Sequence, residues 1–80
     1  MKGYVEGEKN ELCSDTNLTP IEDIATCSDA AKYVGKTYKG TELSANWTSG
    51  CYSVKGYVYL NKRNSSERNI NASPICLSGT

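Results

Sequence analysis

The sequence contains no histidine and no phenylalanine, and it has only one tryptophan and two prolines among its 80 residues. Without histidine, the chain lacks the usual base for a serine or cysteine nucleophile and a common ligand for zinc. Leucine, isoleucine and valine together number thirteen, which is few for a core in a chain of this length. The longest apolar run, residues 57–60, is far too short to span a membrane. These absences disfavour an enzyme, a metal centre and a transmembrane segment.

The four cysteines indicate how so small a core is compensated; they are Cys13, Cys27, Cys51 and Cys76. A low apolar content is typical of disorder, but disorder usually comes with high net charge, and here the net charge is zero. No two cysteines have the C-x-x-C spacing of a zinc site, so we predict neither a metal nor a cofactor. Small secreted domains use disulfides in place of core, and four cysteines allow three pairings. We therefore predict two disulfides and a secreted or cell-surface location.

Residues 22–35 carry the pattern of the one helix that the sequence predicts. Asp23 suits the N-cap, and Gly35 stands where helices end in the left-handed conformation. The apolar residues that recur at helical spacing, and so form one stripe, are Ile24, Cys27, Ala31 and Val34. A capping box from Thr19 to Glu22 is an alternative start, but Asp23 aligns the stripe better.

Residues 50–61 predict a β-hairpin that turns at Lys55 and Gly56. Alternation along its strands gives two faces: Cys51, Ser53, Val58 and Leu60 on one, and Tyr52, Val54, Tyr57 and Tyr59 on the other. A disulfide between Cys27 and Cys51 lays the helix on the first face, where its stripe meets Val58 and Leu60. Elimination then pairs Cys13 with Cys76. A register slip of one residue would reverse the two faces.

The remaining segments predict short strands and loops. They are an edge strand at residues 4–6, an extended segment at 18–21, a brief strand at 37–39, a polar loop at 40–50 with Trp47 at its centre, a polar mobile loop at 62–73, and a final extended segment at 73–77. Pro74 favours an edge position for the last segment. We predict one α+β domain over residues 1–80, a small disulfide-stabilised fold in which one short helix packs on a small antiparallel sheet.

The order of these features resembles an uncharacterised four-cysteine domain. The matching residues are Tyr4, Gly7, Cys13, Pro20-Ile21, Cys27, Ala30-Ala31, Gly50-Cys51-Tyr52, residues 58–61 and Pro74-Ile75-Cys76. That domain occurs, often repeated, in secreted or surface proteins of aquatic single-celled eukaryotes. Its pattern often has proline before the Gly-Cys-Tyr, where this chain has Ser49. The resemblance implies an extracellular compartment and disulfides, and it implies no activity.

Four N-glycosylation sequons begin at Asn17, Asn46, Asn64 and Asn71, and they also favour a eukaryotic extracellular protein. Proline directly after Thr19 and Ser73 makes two of them poor acceptors. No apolar segment follows the first residues as in a signal peptide, so an extracellular chain would be a mature domain.

Charge is balanced overall but is distributed unevenly along the chain. Residues 1–30 carry seven acidic and two basic side chains, and residues 31–80 carry two acidic and seven basic. The basic half could attract anionic glycans, but the simpler interpretation is that the two halves attract each other. No concentrated basic stripe indicates nucleic-acid binding.

The best functional candidate is the tyrosine face of the hairpin. Tyr52, Tyr57 and Tyr59, with Trp47 in the preceding loop, would form an aromatic surface suited to a glycan or an extracellular protein. The alternative is that another segment covers this face and makes it a second small core. We therefore predict a non-enzymatic binding or adhesion module, with a structural spacer domain as the alternative.

The carboxylates of the sequence do not indicate an active or metal site. Glu22 and Asp23 are adjacent at the predicted helix start, where acidic residues usually cap the helix. Asp15-x-Asn17 begins like a calcium loop but lacks the glycine and the final glutamate of that motif.

Overall fold

The computed structural model describes residues 3–44, 46–63 and 68–78. The elements in chain order are β1 (Tyr4–Glu6), a 3₁₀ turn (Cys13–Thr16), β2 (Thr19–Pro20), α1 (Ile24–Tyr33), β3 (Thr37–Glu42), β4 (Gly50–Val54), β5 (Tyr57–Asn61) and β6 (Ser73–Leu77). The strands form one sheet in the order β1-β6-β4-β5-β3, and β2 pairs with the end of β6. The predicted α+β disulfide-stabilised fold is confirmed.

The hairpin of β4 and β5 has the predicted register. Cys51 pairs with Leu60, Tyr52 with Tyr59, and Val54 with Tyr57. Lys55 and Gly56 both have positive φ, of 51° and 85°, as a two-residue type I′ turn requires. The two faces of the hairpin are therefore those derived from the alternation of its side chains.

Both predicted disulfides are formed. Cys27 is bonded to Cys51 with 5.5 Å between their Cα atoms, and Cys13 is bonded to Cys76 with 5.7 Å. The first bond joins α1 to the inner face of β4. The core there comprises Ile21, Cys27, Ala30, Ala31, Cys51, Val58, Leu60 and Ile75. The second bond ties the 3₁₀ turn near the start of the chain to the last strand.

The ends of α1 are fixed by local hydrogen bonds. The Asp23 carboxylate accepts from the Thr26 backbone N–H at 2.8 Å, which confirms the predicted N-cap. At the other end Gly35 has φ 76°, and its N–H donates to the Lys32 carbonyl while the Lys36 N–H donates to Ala31. This pair of bonds is the Schellman motif, which needs the left-handed residue that glycine supplies.

The predicted helix stripe is wrong at its first position. Ile24 is 48 % exposed, whereas Ala30 is buried beside Cys27 and Ala31. The core position at this end is filled instead by Ile21, which lies before the helix. Gly50 allows this close approach, because a Cβ at Gly50 would stand 3.1 Å from the Ile21 carbonyl oxygen.

Strand β3 is longer than predicted and lies parallel to β5. It extends to Glu42, so the loop that carries Trp47 covers only residues 43–49. The predicted edge position of Pro74 is also wrong, since β6 lies between β1 and β4. Pro74 is tolerated near the start of β6 because β1 has already ended there; its carbonyl accepts from Gly7 at 2.8 Å.

Two ion pairs between described residues join the acidic first part of the chain to the basic remainder. Glu6 pairs with Lys36, and Asp15 pairs with Arg68. The hydrogen bond from Arg68 lowers the pKa of the Asp15 carboxyl to about 2. Two contacts of the described residues thus pair an acidic side chain of the first part with a basic side chain of the second.

Candidate functional site

Three aromatic rings are stacked on the outer face of the hairpin. The Tyr52 ring lies between those of Trp47 and Tyr59, with centroids 5.4 Å and 5.7 Å apart. The angles between the ring planes are 8° and 22°. The cross-strand pairing of Tyr52 with Tyr59 brings two of these rings together, and the 43–49 loop adds the third. We call Trp47, Tyr52 and Tyr59 the aromatic stack.

Tyr52, the middle ring of the stack, is only 1 % exposed, so at this residue the face is covered, as the alternative to an open aromatic surface predicts. The rings of Trp47 and Tyr59 both stack on it. Its hydroxyl donates to the Glu42 carboxylate at 2.7 Å. Trp47 and Tyr59 are half-buried, and they carry the accessible part of the stack.

Tyr57 lies on β5, as Tyr59 does, but it is outside the aromatic stack. It is 43 % exposed, and the Lys39 ammonium stands 4.9 Å from the centroid of its ring. That distance is within the range of a cation–π contact. The structure therefore divides the four predicted binding residues into a stack of three and one separate exposed ring.

The position beside Tyr59 on β3 is occupied by Gly40. A Cβ built on Gly40 would meet no atom within 4 Å, so there is open space at this point of the sheet. We use the term aromatic surface for Trp47, Tyr57 and Tyr59 together with this opening. Lys39 precedes Gly40 on β3 and Glu42 follows it by two residues; the Lys39 ammonium lies over the Tyr57 ring, and the Glu42 carboxylate accepts from Tyr52.

A buried asparagine holds the 43–49 loop on the sheet. Asn61 is 2 % exposed, and its amide nitrogen donates to the carbonyls of Ser44, Trp47 and Thr48 at 2.9, 3.0 and 3.2 Å. Its amide oxygen accepts from the Ser44 and Arg63 backbone N–H groups at 3.0 and 3.1 Å. These bonds fix the backbone of Trp47, and thereby its ring on Tyr52.

Asn61 is not among the binding residues that the sequence predicts. It stands at the end of an apolar strand, where an asparagine usually begins a turn. The alternation of side chains along β5 does indicate a link to the site, because it places Asn61 on the same face as Tyr57 and Tyr59.

A shallow groove of about 270 Å³ lies beyond Asn61, where the loop returns to β4. Glu22 stands in its wall together with Lys62 and Arg63, and all three side chains are exposed. The groove thus has mixed charge and no buried polar group left to orient a ligand.

Ser53 lies between the side chains of Glu6 and Lys36, on the face of the hairpin that carries Cys51. The Ser53 hydroxyl donates to Glu6, and the Lys36 ammonium donates to both Glu6 and the Ser53 oxygen. Ser53 is 3 % exposed, so it lacks the access that a nucleophile needs. Hydrogen bonds among the three residues link β1 to β4 across β6. In the described ranges no three His, Cys, Asp or Glu side chains are grouped to hold a metal ion.

Burial and the adjacent Glu42 carboxylate raise the pKa of Tyr52 far above the ordinary value for tyrosine. We expect Tyr52 to remain protonated in the folded domain at a pH where it ionises in the unfolded chain. The contribution of Tyr52 to the free energy of unfolding is therefore constant below pH about 10, and it decreases as the pH rises above that value.

Tyrosinate absorbance during an alkaline titration measures this effect. Tyr52→Phe should remove one late-titrating tyrosine of the six, and Glu42→Gln should bring the ionisation of Tyr52 to lower pH. Ionisation of all six at ordinary pH in the folded protein would contradict the arrangement.

The sequons of Asn17, Asn46 and Asn71 lie in the described residues, and all three asparagine side chains are exposed. The sequon of Asn64, and part of the predicted mobile loop, lie outside the described residues.

Comparison of the chain with protein-family models, with curated proteins and with solved structures gives no match. No helix among the described residues is long and apolar enough to cross a membrane. The paired state of all four cysteines is consistent with an extracellular protein.

Proposed function

We propose that the chain is a non-enzymatic extracellular binding module that takes a carbohydrate ligand on its aromatic surface. The observation that carries this proposal is the aromatic stack itself, with Trp47 held on Tyr52 by the hydrogen bonds of Asn61. A ring that is already fixed loses little conformational entropy when a ligand binds, so contacts with it translate efficiently into affinity.

The chemistry of the aromatic surface favours a sugar. Aromatic rings combine a large apolar area with polar edges, which matches the mixed faces of a pyranose. The opening at Gly40 leaves room beside Tyr59, and Lys39 and Glu42 of the same strand lie against Tyr57 and Tyr52, which brings a hydrogen-bond donor and an acceptor to the aromatic residues. A protein ligand remains the second possibility for the same surface, and it would need a larger contact area.

The extracellular location is supported by the two disulfides, since such bonds persist in oxidising compartments. The resemblance to a four-cysteine domain of secreted and surface proteins points the same way, and it rests on the cysteine and core pattern alone. The proposal that the module is not an enzyme is supported by the absence of histidine and by the buried position of Ser53.

A structural spacer domain is the second candidate function. The burial of Tyr52 favours it, because the aromatic stack then serves partly as a second small core. The two candidate functions make different predictions for Tyr57, which is 43 % exposed. A binding module uses its ring to contact the ligand, whereas a spacer does not.

Binding to a broad glycan array, followed by calorimetry with any hit, separates the two candidates. We expect Tyr57→Ala to weaken binding roughly tenfold, or about 1.4 kcal/mol, as for an aromatic contact residue. Tyr33→Ala is the matched control, because Tyr33 is 63 % exposed on α1 and lies outside the aromatic surface. Absence of any glycan hit would favour the spacer, and equal loss in both variants would contradict binding at the aromatic surface.

A further inference from the structure

We propose that Asn46 is an N-glycosylation site, and that it is the acceptor in preference to the other two described sequons. The residue after Thr48 is serine, whereas proline follows the hydroxyl residue in the sequons of Asn17 and Asn71. Proline at that position fixes the backbone and restricts the residue before it, which hinders the turn that a sequon adopts in the transferase.

The fold leaves the Asn46 side chain free to carry a glycan. Asn46 is exposed in the 43–49 loop, outside every strand. Its backbone N–H donates to the Ser44 hydroxyl at 3.1 Å, and its carbonyl accepts from Asn69 at 2.7 Å. Its side-chain amide forms no hydrogen bond with any residue that the structure describes. A sugar on that nitrogen therefore breaks no hydrogen bond of the described fold.

The other two described sequons are more constrained. Asn17 ends the 3₁₀ turn in the left-handed conformation with φ 60°, and its hydroxyl residue, Thr19, is paired with Leu77 in the sheet. The sequon of Asn71 runs into β6, where Ser73 pairs with Ser53. Of the three described sequons, that of Asn46 alone lies wholly in a loop.

The hydroxyl of Thr48 supplies a second, independent observation. Thr48 is 1 % exposed, and its Oγ1 has no hydrogen-bond partner among the described residues. A buried hydroxyl without a partner is unfavourable, so packing alone would be served better by valine, which has the same shape. The sequon does require that hydroxyl, since the transferase recognises it at the second residue after the asparagine.

The modification itself is a transfer from a lipid-diphosphate-linked oligosaccharide. The Asn46 amide nitrogen attacks C1 of the first sugar, an N–C bond forms, and the C1–O bond to the diphosphate breaks. The lipid diphosphate leaves with the bonding electron pair, and the nitrogen gives up one proton to a base of the transferase.

The test is secretion of the full chain from eukaryotic cells behind a cleavable leader, in an Asn64→Gln background. Enzymatic removal of N-glycans converts each modified asparagine to aspartate, and peptide mass spectrometry then locates it. We expect conversion at Asn46 and none at Asn17 or Asn71. Thr48→Val should abolish the glycan while the protein remains folded, and Thr48→Ser should retain it. Asn46→Gln gives the same readout if the valine variant is not secreted.

Two results would overturn the proposal: secreted, folded protein with unmodified Asn46, or a glycan at that residue in the Thr48→Val variant. A secreted reporter with a known sequon, made in the same cells, shows that the transferase is active. The inference rests on the extracellular location in the proposed function but not on ligand binding. The binding experiment uses unglycosylated protein, so the two proposals fail separately.

Discussion

Replacement of both Cys27 and Cys51 by alanine is expected to leave the domain largely unfolded at physiological temperature. The bond closes a loop with a sequence separation of 24, for which chain entropy gives about 3.5 kcal/mol. Both residues are also at most 1 % exposed, so two sulfur-sized voids add about 1 kcal/mol or more. A small domain has roughly 5–10 kcal/mol in total, so little stability remains.

Without this bond, α1 is held to the sheet mainly by small side chains. Ala30 and Ala31 are the buried helix residues besides Cys27, and alanine contributes little area. The double variant should therefore lose helical circular dichroism together with the dispersion of its amide NMR signals. Urea unfolding, followed by the fluorescence of the one tryptophan, measures the remaining free energy.

The matched control is the Cys13→Ala/Cys76→Ala pair. Its loop has a sequence separation of 63, which gives about 4 kcal/mol by the same estimate. That bond lies outside the core cluster, so we expect the hairpin and α1 to persist while β1 and β2 fray from β6. Native spectra and a loss below about 1 kcal/mol in the Cys27/Cys51 variant would contradict its assigned role.

The parts of the fold that could be predicted from the sequence depend on local patterns and covalent bonds. The alternation of residues 50–61 and the turn at Lys55-Gly56 determine the hairpin register. Once that register is known, only one face carries Cys51, and the bond to Cys27 places the helix there. The N-cap at Asp23 and the glycine that ends the helix are likewise short-range features.

The parts that could not be predicted depend on contacts between distant segments. Nothing within residues 37–42 specifies parallel pairing with β5, since the partner strand lies on the far side of the hairpin. Ile21 rather than Ile24 enters the core because the chain before the helix crosses Gly50. The sequence predicts the residues of the candidate site but not which of them are buried. Trp47 covers Tyr52 only when the loop folds onto Asn61.

Asn61 is the side chain whose replacement should change the candidate site most, because its hydrogen bonds hold the loop that carries Trp47. Asn61→Asp keeps the size of the side chain but replaces the donating amide with a carboxylate facing three carbonyl oxygens. The buried carbonyls then lose their donor and meet a negative charge, which should cost about 3 kcal/mol or more. We expect the 43–49 loop to detach and Trp47 to leave Tyr52.

Trp47 reports this change directly, because it is the one tryptophan of the chain. Its emission should move to longer wavelength, and acrylamide should quench it more strongly than in the unaltered protein. Asn71→Asp is the matched control, since Asn71 is exposed and its hydrogen bond to Asn69 is made by its backbone N–H, which the substitution keeps. An unchanged Trp47 signal in the Asn61→Asp variant would show that other contacts hold the loop.

The pH dependence of the Asn61→Asp variant separates the loss of a donor from a general packing defect. Burial beside three carbonyl oxygens should raise the pKa of the introduced carboxyl above its value in the unfolded chain. The folded variant then binds a proton more tightly than the unfolded chain, so its stability should rise as the pH falls through that pKa. The protonated carboxyl is itself a donor, and it can restore one bond to the loop. Recovery of the Trp47 signal at low pH would therefore show that a hydrogen bond from position 61 places the ring on the aromatic surface.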